Sequence, residues 1–168
     1  MKEGVSMENL VLTRIDDRLI HGQVMTKWLK ETGAEDILII DDATAANDFM
    51  ISVFEQAVPE DKGIGVFNKE DGVKFLSQPL EEPTLILVKG PETVEYLVDH
   101  GIKIDSLDLG GMAGKDGRSP LFQFISTSPE EDECFKRLID KGVDVYVQIT
   151  PQNEKQPILP LINKKTEG

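Results

Sequence analysis

Asn9-Leu-Val-Leu-Thr-Arg14 leads through Ile15-Asp-Asp-Arg-Leu-Ile20 into His21-Gly-Gln23, and Gly22 to Glu31 continues as a helical pattern that Gly33 closes. A compact apolar strand therefore feeds a helix across one charged turn. The same alternation recurs down the chain. Asp36-Ile-Leu-Ile-Ile40 is apolar after its first residue, as a strand covered on both faces should be. Ala45 to Ala57 reads as a helix that stops before Pro59. Gly63-Ile-Gly-Val-Phe67, Thr84-Leu-Ile-Leu-Val88, Ser106-Leu-Asp-Leu109 and Val143-Asp-Val-Tyr-Val147 read as strands, and Phe122 to Ser126 as one more. Asn68 caps a short helix over Lys69 to Ser77, and Pro91 opens one ending near Gly101. Ser128-Pro-Glu-Glu131 is a capping box starting a helix that runs to Lys141. The pattern predicts an α/β fold with a mainly parallel open sheet of six or seven strands and helices on both faces. Ligands of such sheets sit beyond the carboxyl ends of the strands, near a topological switch point. The loops to inspect are then Ile15 to Gln23, Asp41 to Ala46, Lys89 to Pro91 and Gly110 to Gly117.

The 168 residues suit a single domain, 1–168, with residues 1–8 as a leader and the polar, Pro-rich residues 152–168 as a C-terminal tail or an arm on a partner. With 39% hydrophobic and 29% charged residues the chain reads as globular rather than disordered. Its net charge of −13 disfavours nucleic acid and anionic membrane surfaces, which demand clustered Lys and Arg. Cys134 stands alone, which fits a reducing compartment. The apolar runs Ile37 to Ile40 and Leu85 to Val88 are too short to cross a bilayer, and Met1 to Asn9 has no signal-like apolar stretch. A cytoplasmic protein is expected.

The turn after the first strand carries the chemistry. His21 sits where a helix begins, and free N–H groups at such a start attract anions. Gly22 lets backbone approach a bulky group, so the N–H groups around Gly22 and Gln23 are candidate phosphate donors. Arg18 offers a planar fork of donors matched to phosphate oxygens. A neutral imidazole nitrogen is a competent nucleophile. His21 is thus the candidate phosphoryl acceptor, with Arg18, Gly22 and Gln23 holding the group. Arg14, Asp16 and Asp17 are candidate supports, and at least one Asp should hold an Arg or orient the imidazole N–H.

Other polar or reactive residues have plainer readings. His100 beside Gly101 meets helix-end carbonyls. Cys134 inside a helix is a small core residue, and Trp28 is packing. Asp41-Asp42 either binds a cation or caps a turn. Gly110-Gly111-Met112-Ala-Gly114 lacks a phosphate-loop pattern and reads as a flexible rim of the site. No metal ligand set and no cofactor motif is read.

The string Arg14-Ile-Asp-Asp-Arg-Leu-Ile-His21-Gly-Gln-Val24 resembles the signature of the enzyme IIB component of the mannose/fructose/sorbose class of the phosphoenolpyruvate-dependent sugar phosphotransferase system. Asp41-Asp42, Gly110-Gly111-Met112 and Gly142-Val143 extend the likeness to about Pro151, leaving out Met1 to Glu8 and the tail. The resemblance implies a three-layer α/β/α sandwich. It implies that His21 is phosphorylated on Nδ1 and that Arg18 helps hold the phosphoryl group. It further implies a phosphorylated IIA protein as donor, on a separate chain. Membrane IIC and IID components would hold a hexose-type sugar as acceptor, so that the protein associates peripherally with a transporter. Two readings compete. A Mg²⁺-dependent receiver-like signalling domain shares the layout and wants acidic residues and a Lys at strand ends, as at Asp41-Asp42 and Lys89. It also wants an Asp closing the third strand, where Phe67-Asn68 stand. A transport-linked regulatory binding module would carry phosphate on His21 without passing it to sugar.

Overall fold

The computed structural model describes residues 7–167, apart from the side chains of Gln23, Thr166 and Glu167. Most of the expected leader, residues 1–6, lies outside the described residues. Among the described residues nine strands and seven helices follow in chain order: β1 Leu10–Asp16, α1 Gly22–Thr32, β2 Asp36–Ile40, α2 Asp42–Ala45, α3 Asp48–Ala57, β3 Gly63–Phe67, α4 Lys69–Leu76, β4 Thr84–Val88, α5 Pro91–Asp99, β5 Ser106–Gly111, β6 Ser119–Phe122, β7 Ile125–Thr127, α6 Pro129–Asp140, β8 Asp144–Val147, β9 Gln156–Pro157 and α7 Ile158–Glu167. The main sheet has seven strands in the order β3-β2-β4-β1-β5-β8-β9, parallel except for β9.

Period-two side-chain alternation splits the apolar strands between two cores. Ile37, Ile39, Leu85 and Leu87 join Met25, Trp28 and Leu29 of α1 and Phe54 of α3. Leu38, Ile40, Ile86 and Val88 join residues of α4, α5, α6 and α7 on the opposite face. The three-layer α/β/α architecture follows from strands with no polar face to show. On β1, Leu12 belongs to the α1 side and Ile15 to the other. Arg14 and Asp16 therefore point to the α1 side.

Strand β1 lies between β4 and β5. From β1 the chain crosses on one face toward β2, and from β5 it leaves on the other face toward β8. The loops after β1 and β5 thus part at the carboxyl edge and open a crevice between them.

Four sequence expectations change. The helix expected over Ala45 to Ala57 is two, because Asp41 caps α2 by accepting Thr44 N–H and Asn47 caps α3 by accepting Met50 N–H. The strand expected over Phe122 to Ser126 is a hairpin, β6 antiparallel to β7, whose reversal uses Gln123 at φ 48°. Strand β5 runs on through Gly110 and Gly111 rather than ending before them. The stretch read as a C-terminal tail or an arm on a partner, residues 152–168, packs on this chain over its described part, to residue 167: β9 pairs with β8, and Ile158 and Ile162 of α7 are fully buried. Two isoleucines one turn apart give α7 an apolar stripe that seals the α6 side of the sheet.

Truncating Ile162 to Ala should cost about 2–5 kcal/mol in chemical denaturation, the range for emptying a buried aliphatic site. Leu159→Ala on the same helix, at a 39% exposed position, should cost far less. Equal losses would contradict the packing of α7.

Candidate functional site

Asp16 is the last residue of β1 and His21 the N-cap of α1. Between them the chain reverses through a turn in which Leu19 N–H donates to Asp16 C=O at 2.8 Å. Leu19 takes φ 59° and Gly22 φ 49°, both left-handed. Glycine adopts that region freely, whereas Leu19 is strained by about 1–2 kcal/mol. Its side chain is only 1% exposed, and burying a Leu is worth about 1.5–3 kcal/mol, so the core holds the turn in place.

The turn brings three charged or titratable groups together. The Nε2 of His21 lies 2.8 Å from Asp16 Oδ2. An ionised carboxylate only accepts, so Nε2 carries the proton and donates it. Nδ1 is then the nitrogen with the free lone pair. Asp16 Oδ1 accepts Arg18 N–H at 3.0 Å and Arg18 Nε–H at 3.1 Å. Burial would raise the Asp16 carboxyl, but the hydrogen bonds from Arg18 and His21 outweigh it and hold it below its ordinary 3.8. His21 makes no side-chain cap on α1, so its imidazole does not take up the first-turn N–H groups as an N-cap side chain would. Arg18 keeps half its side chain in solvent, at 52%, and the imidazole is 24% exposed. A nitrogen with a free lone pair, a guanidinium and the start of a helix thus share one accessible turn. Gln23 lies in the first turn of α1, and its side chain is outside the described residues.

A buried frame stands behind the turn. Arg14 is 1% exposed and does not reach outward. It pairs with Asp108, donates to the carbonyls of Gln148 at 2.8 Å and Ile149 at 2.9 Å, and lies 3.9 Å from Asp16 Oδ2. Its guanidinium carbon stacks 4.8 Å over the Trp28 ring, so Trp28 is packing. Burial pushes the Asp108 carboxyl up to about 7 against the pull of Arg14 and Gln148 N–H. The glycine pair supplies room rather than flexibility. A Cβ on Gly110 would fall 2.0 Å from the Arg14 guanidinium carbon, and one on Gly111 would fall 3.0 Å from Asp16 Oδ1. Asp17 accepts Ala113 N–H at 2.8 Å and so ties the turn to the segment after β5.

Arg18 separates two clefts. One is lined by Leu19, Thr44, Asn47, Met50, Phe54 and Lys89, the other by Gly111 to Gly114 and Phe124. Asp41 is engaged as the cap of α2 and lies 3.6 Å from Lys89, and Asp42 accepts Lys69 N–H. Asn68 caps α4. His100 contacts the Tyr96 carbonyl at 2.7 Å. Cys134 is buried, and burial, reinforced by Glu95, pushes its thiol up to about 12, leaving it inert. Among the described residues no cluster of three or more His, Cys, Asp or Glu is placed to hold a metal ion. Among them, too, no helix is long and apolar enough to cross a membrane. Sequence reasoning missed Asp108 as part of the frame, and Arg118, whose Nη1 lies 3.6 Å from Asp17 Oδ2. A lone Asp inside the apolar run Leu107-Asp-Leu109 was the visible signal for the first.

Residues 10–168 match the family model described as the sorbose subfamily IIB component of the PTS system. The chain is 34% identical over 155 residues to the mannose-specific EIIAB component of Escherichia coli K12, covering 91% of this chain and 48% of that one. It thus spans about half the length of that relative. The crystal structure of the IIBSor domain of the sorbose permease from Klebsiella pneumoniae is similar with a TM-score of 0.89 at 32% identity, covering 92% of this chain and 96% of that one. That of manxB from Thermoanaerobacter tengcongensis is similar with a TM-score of 0.84 at 36% identity, covering 92% and 95%.

The Asp16 contacts make a pH-dependent contribution to stability. A carboxyl lowered in the folded state stabilises fully above its ordinary 3.8, and the contribution fades as pH falls through the lowered value. Asp16→Ala should therefore cost about 1.5–3 kcal/mol near neutrality, as for hydrogen bonds to a charged group. The difference from wild type should shrink in acid. Denaturant titrations across this range check it, and a pH-independent difference would contradict it.

Proposed function

The chain belongs to the sorbose subfamily of IIB components of the sugar phosphotransferase system, and from that premise we propose that it is a phosphohistidine relay centred on His21. The supporting observation is the 2.8 Å contact of Asp16 with Nε2, which leaves Nδ1 as the nucleophile. In the first step the Nδ1 lone pair attacks phosphorus on the phosphohistidine of a IIA component. The new N–P bond forms as the donor's N–P bond breaks, and the donor imidazole recovers its lone pair. In the second step a sugar hydroxyl oxygen attacks the same phosphorus and the His21 N–P bond breaks. The hydroxyl proton passes to the sugar-binding site or to solvent.

Membrane IIC and IID components hold the hexose-type sugar in this reading. The protein then works at the cytoplasmic face of the transporter by contact with those partners. A phosphoramidate is already activated, so the transfer calls for positioning and charge stabilisation rather than a metal or cofactor. Arg18 and the N–H groups at Gly22 and Gln23 receive the phosphoryl charge, while Asp16, Asp17 and Arg14 fix the turn.

Magnitude shows why the net charge of −13 does not forbid an incoming dianion. A phosphoryl group brings roughly two negative charges. Exposed acidic groups are screened beyond about 8 Å at physiological salt. One guanidinium at about 4 Å is worth on the order of 4 kcal/mol at an effective dielectric near 20, before desolvation.

Incubation with phosphoenolpyruvate and the upstream carriers should give an acid-labile phosphate on the wild type and none on His21→Ala. Equal labelling of the two would remove His21 from the pathway. Arg18→Ala should fold normally and transfer about tenfold more slowly, short of the roughly hundredfold or larger loss seen when an enclosed transition-state donor is removed. An unchanged rate would take Arg18 out of the site.

A further inference from the structure

We propose that Arg118, far from the turn in sequence, is a positioning residue for phosphoryl transfer, a role that rests on the relay reading. Its side chain is 6% exposed. Its Nε and Nη2 donate to the two Glu131 carboxylate oxygens at 2.9 and 2.8 Å. Its Nη1 donates to the Ala113 carbonyl at 2.7 Å and lies 3.6 Å from Asp17 Oδ2. The same Asp17 oxygen accepts Ala113 N–H at 2.8 Å, and Asp17 N–H donates to the Gly111 carbonyl at 3.1 Å.

One guanidinium therefore joins a helix start to both walls of the site. The helix start is firm. Glu131 is the third residue of α6, closes the capping box with Ser128 and accepts Ser128 N–H at 2.8 Å. Burial would raise the Glu131 carboxyl, but Arg118 and Ser128 N–H outweigh it and keep it ionised. The walls are close together. A Cβ on Gly111 would lie 3.3 Å from Arg18 Nη2, so a small shift of the segment after β5 changes the space left for Arg18 and a phosphoryl group. Residues 113–117 are otherwise exposed. Arg118 converts them from a loose loop into a fixed wall.

Lys165 supplies a matched control. It donates to Asp132 at 2.9 Å and to the Thr127 carbonyl at 3.0 Å, and its side chain is 13% exposed. It anchors α7 to the same α6 start, one residue along, without touching Asp17 or Ala113.

The test uses the full chain as wild type, Arg118→Met, Lys165→Met and Asp17→Asn. Melting temperature is read alongside the rate of His21 phosphorylation as donor concentration is varied. Arg118→Met should lower the maximal rate by about tenfold or more, as displacement of a positioned reacting group does, with the half-saturating donor concentration unchanged. Lys165→Met should lose comparable thermal stability and keep the wild-type rate. Asp17→Asn leaves Arg118 bound to Glu131 and should also slow transfer, which keeps the proposal exposed if Arg118→Met does not fold. If Arg118→Met transfers as fast as Lys165→Met, or Asp17→Asn as fast as wild type, the positioning role is overturned while the relay stands. A wild type that takes no label overturns both.

Discussion

The hydrogen bond from His21 Nε2 to Asp16 is the contact on which the site's chemistry turns. An imidazole has two nitrogens of nearly equal basicity, and a free ring presents either. A carboxylate on one of them fixes the tautomer and the ring plane together. The other nitrogen then keeps its lone pair, on a ring that is 24% exposed. Asp16 can do this because it is itself held ionised by the Arg18 donors and backed by the buried Arg14. The choice of which nitrogen keeps its lone pair thus reaches from the surface into the centre of the sheet.

The scaffold explains why that carboxylate stands there. Strands buried on both faces leave few places for charge, and β1 carries its charges on alternate residues of one face. Arg14 is compensated by Asp108 on β5 and by two carbonyls beyond β8, an arrangement that requires the missing side chain of Gly110. Removing one partner of such a pair would leave an uncompensated charge in the core. Asp16, one pleat further on, emerges on the same side as α1. The helix that covers this face begins at His21, so strand period and helix start meet at one point.

Much of this was legible because it is local. The run Asp36 to Ile40 carries the signature of two-sided burial, the capping box at Ser128 has both its bonds, and His100 meets a helix carbonyl. The residues Asp16, Arg18 and His21 lie within one turn, so their meeting follows from chain geometry. What escaped was non-local or disguised. The hairpin reverses at Gln123-Phe124, a pair with none of the Asn-Gly or Asp-Gly chemistry that marks such turns. Helix α7 was hidden by Pro157 and Pro160, which read as breakers although Pro is tolerated in a first helical turn. The partnership of Arg118 with Asp17 spans about a hundred residues of sequence and depends on β1 and β5 being neighbours, which no local pattern records.

The most direct measurement is a nitrogen–phosphorus correlation spectrum of the phosphorylated, ¹⁵N-labelled protein. Coupling of the phosphorus to Nδ1 of His21, with Nε2 still protonated and hydrogen-bonded, is the expected result. Phosphorus on Nε2 would contradict the account, because that nitrogen is the one Asp16 occupies.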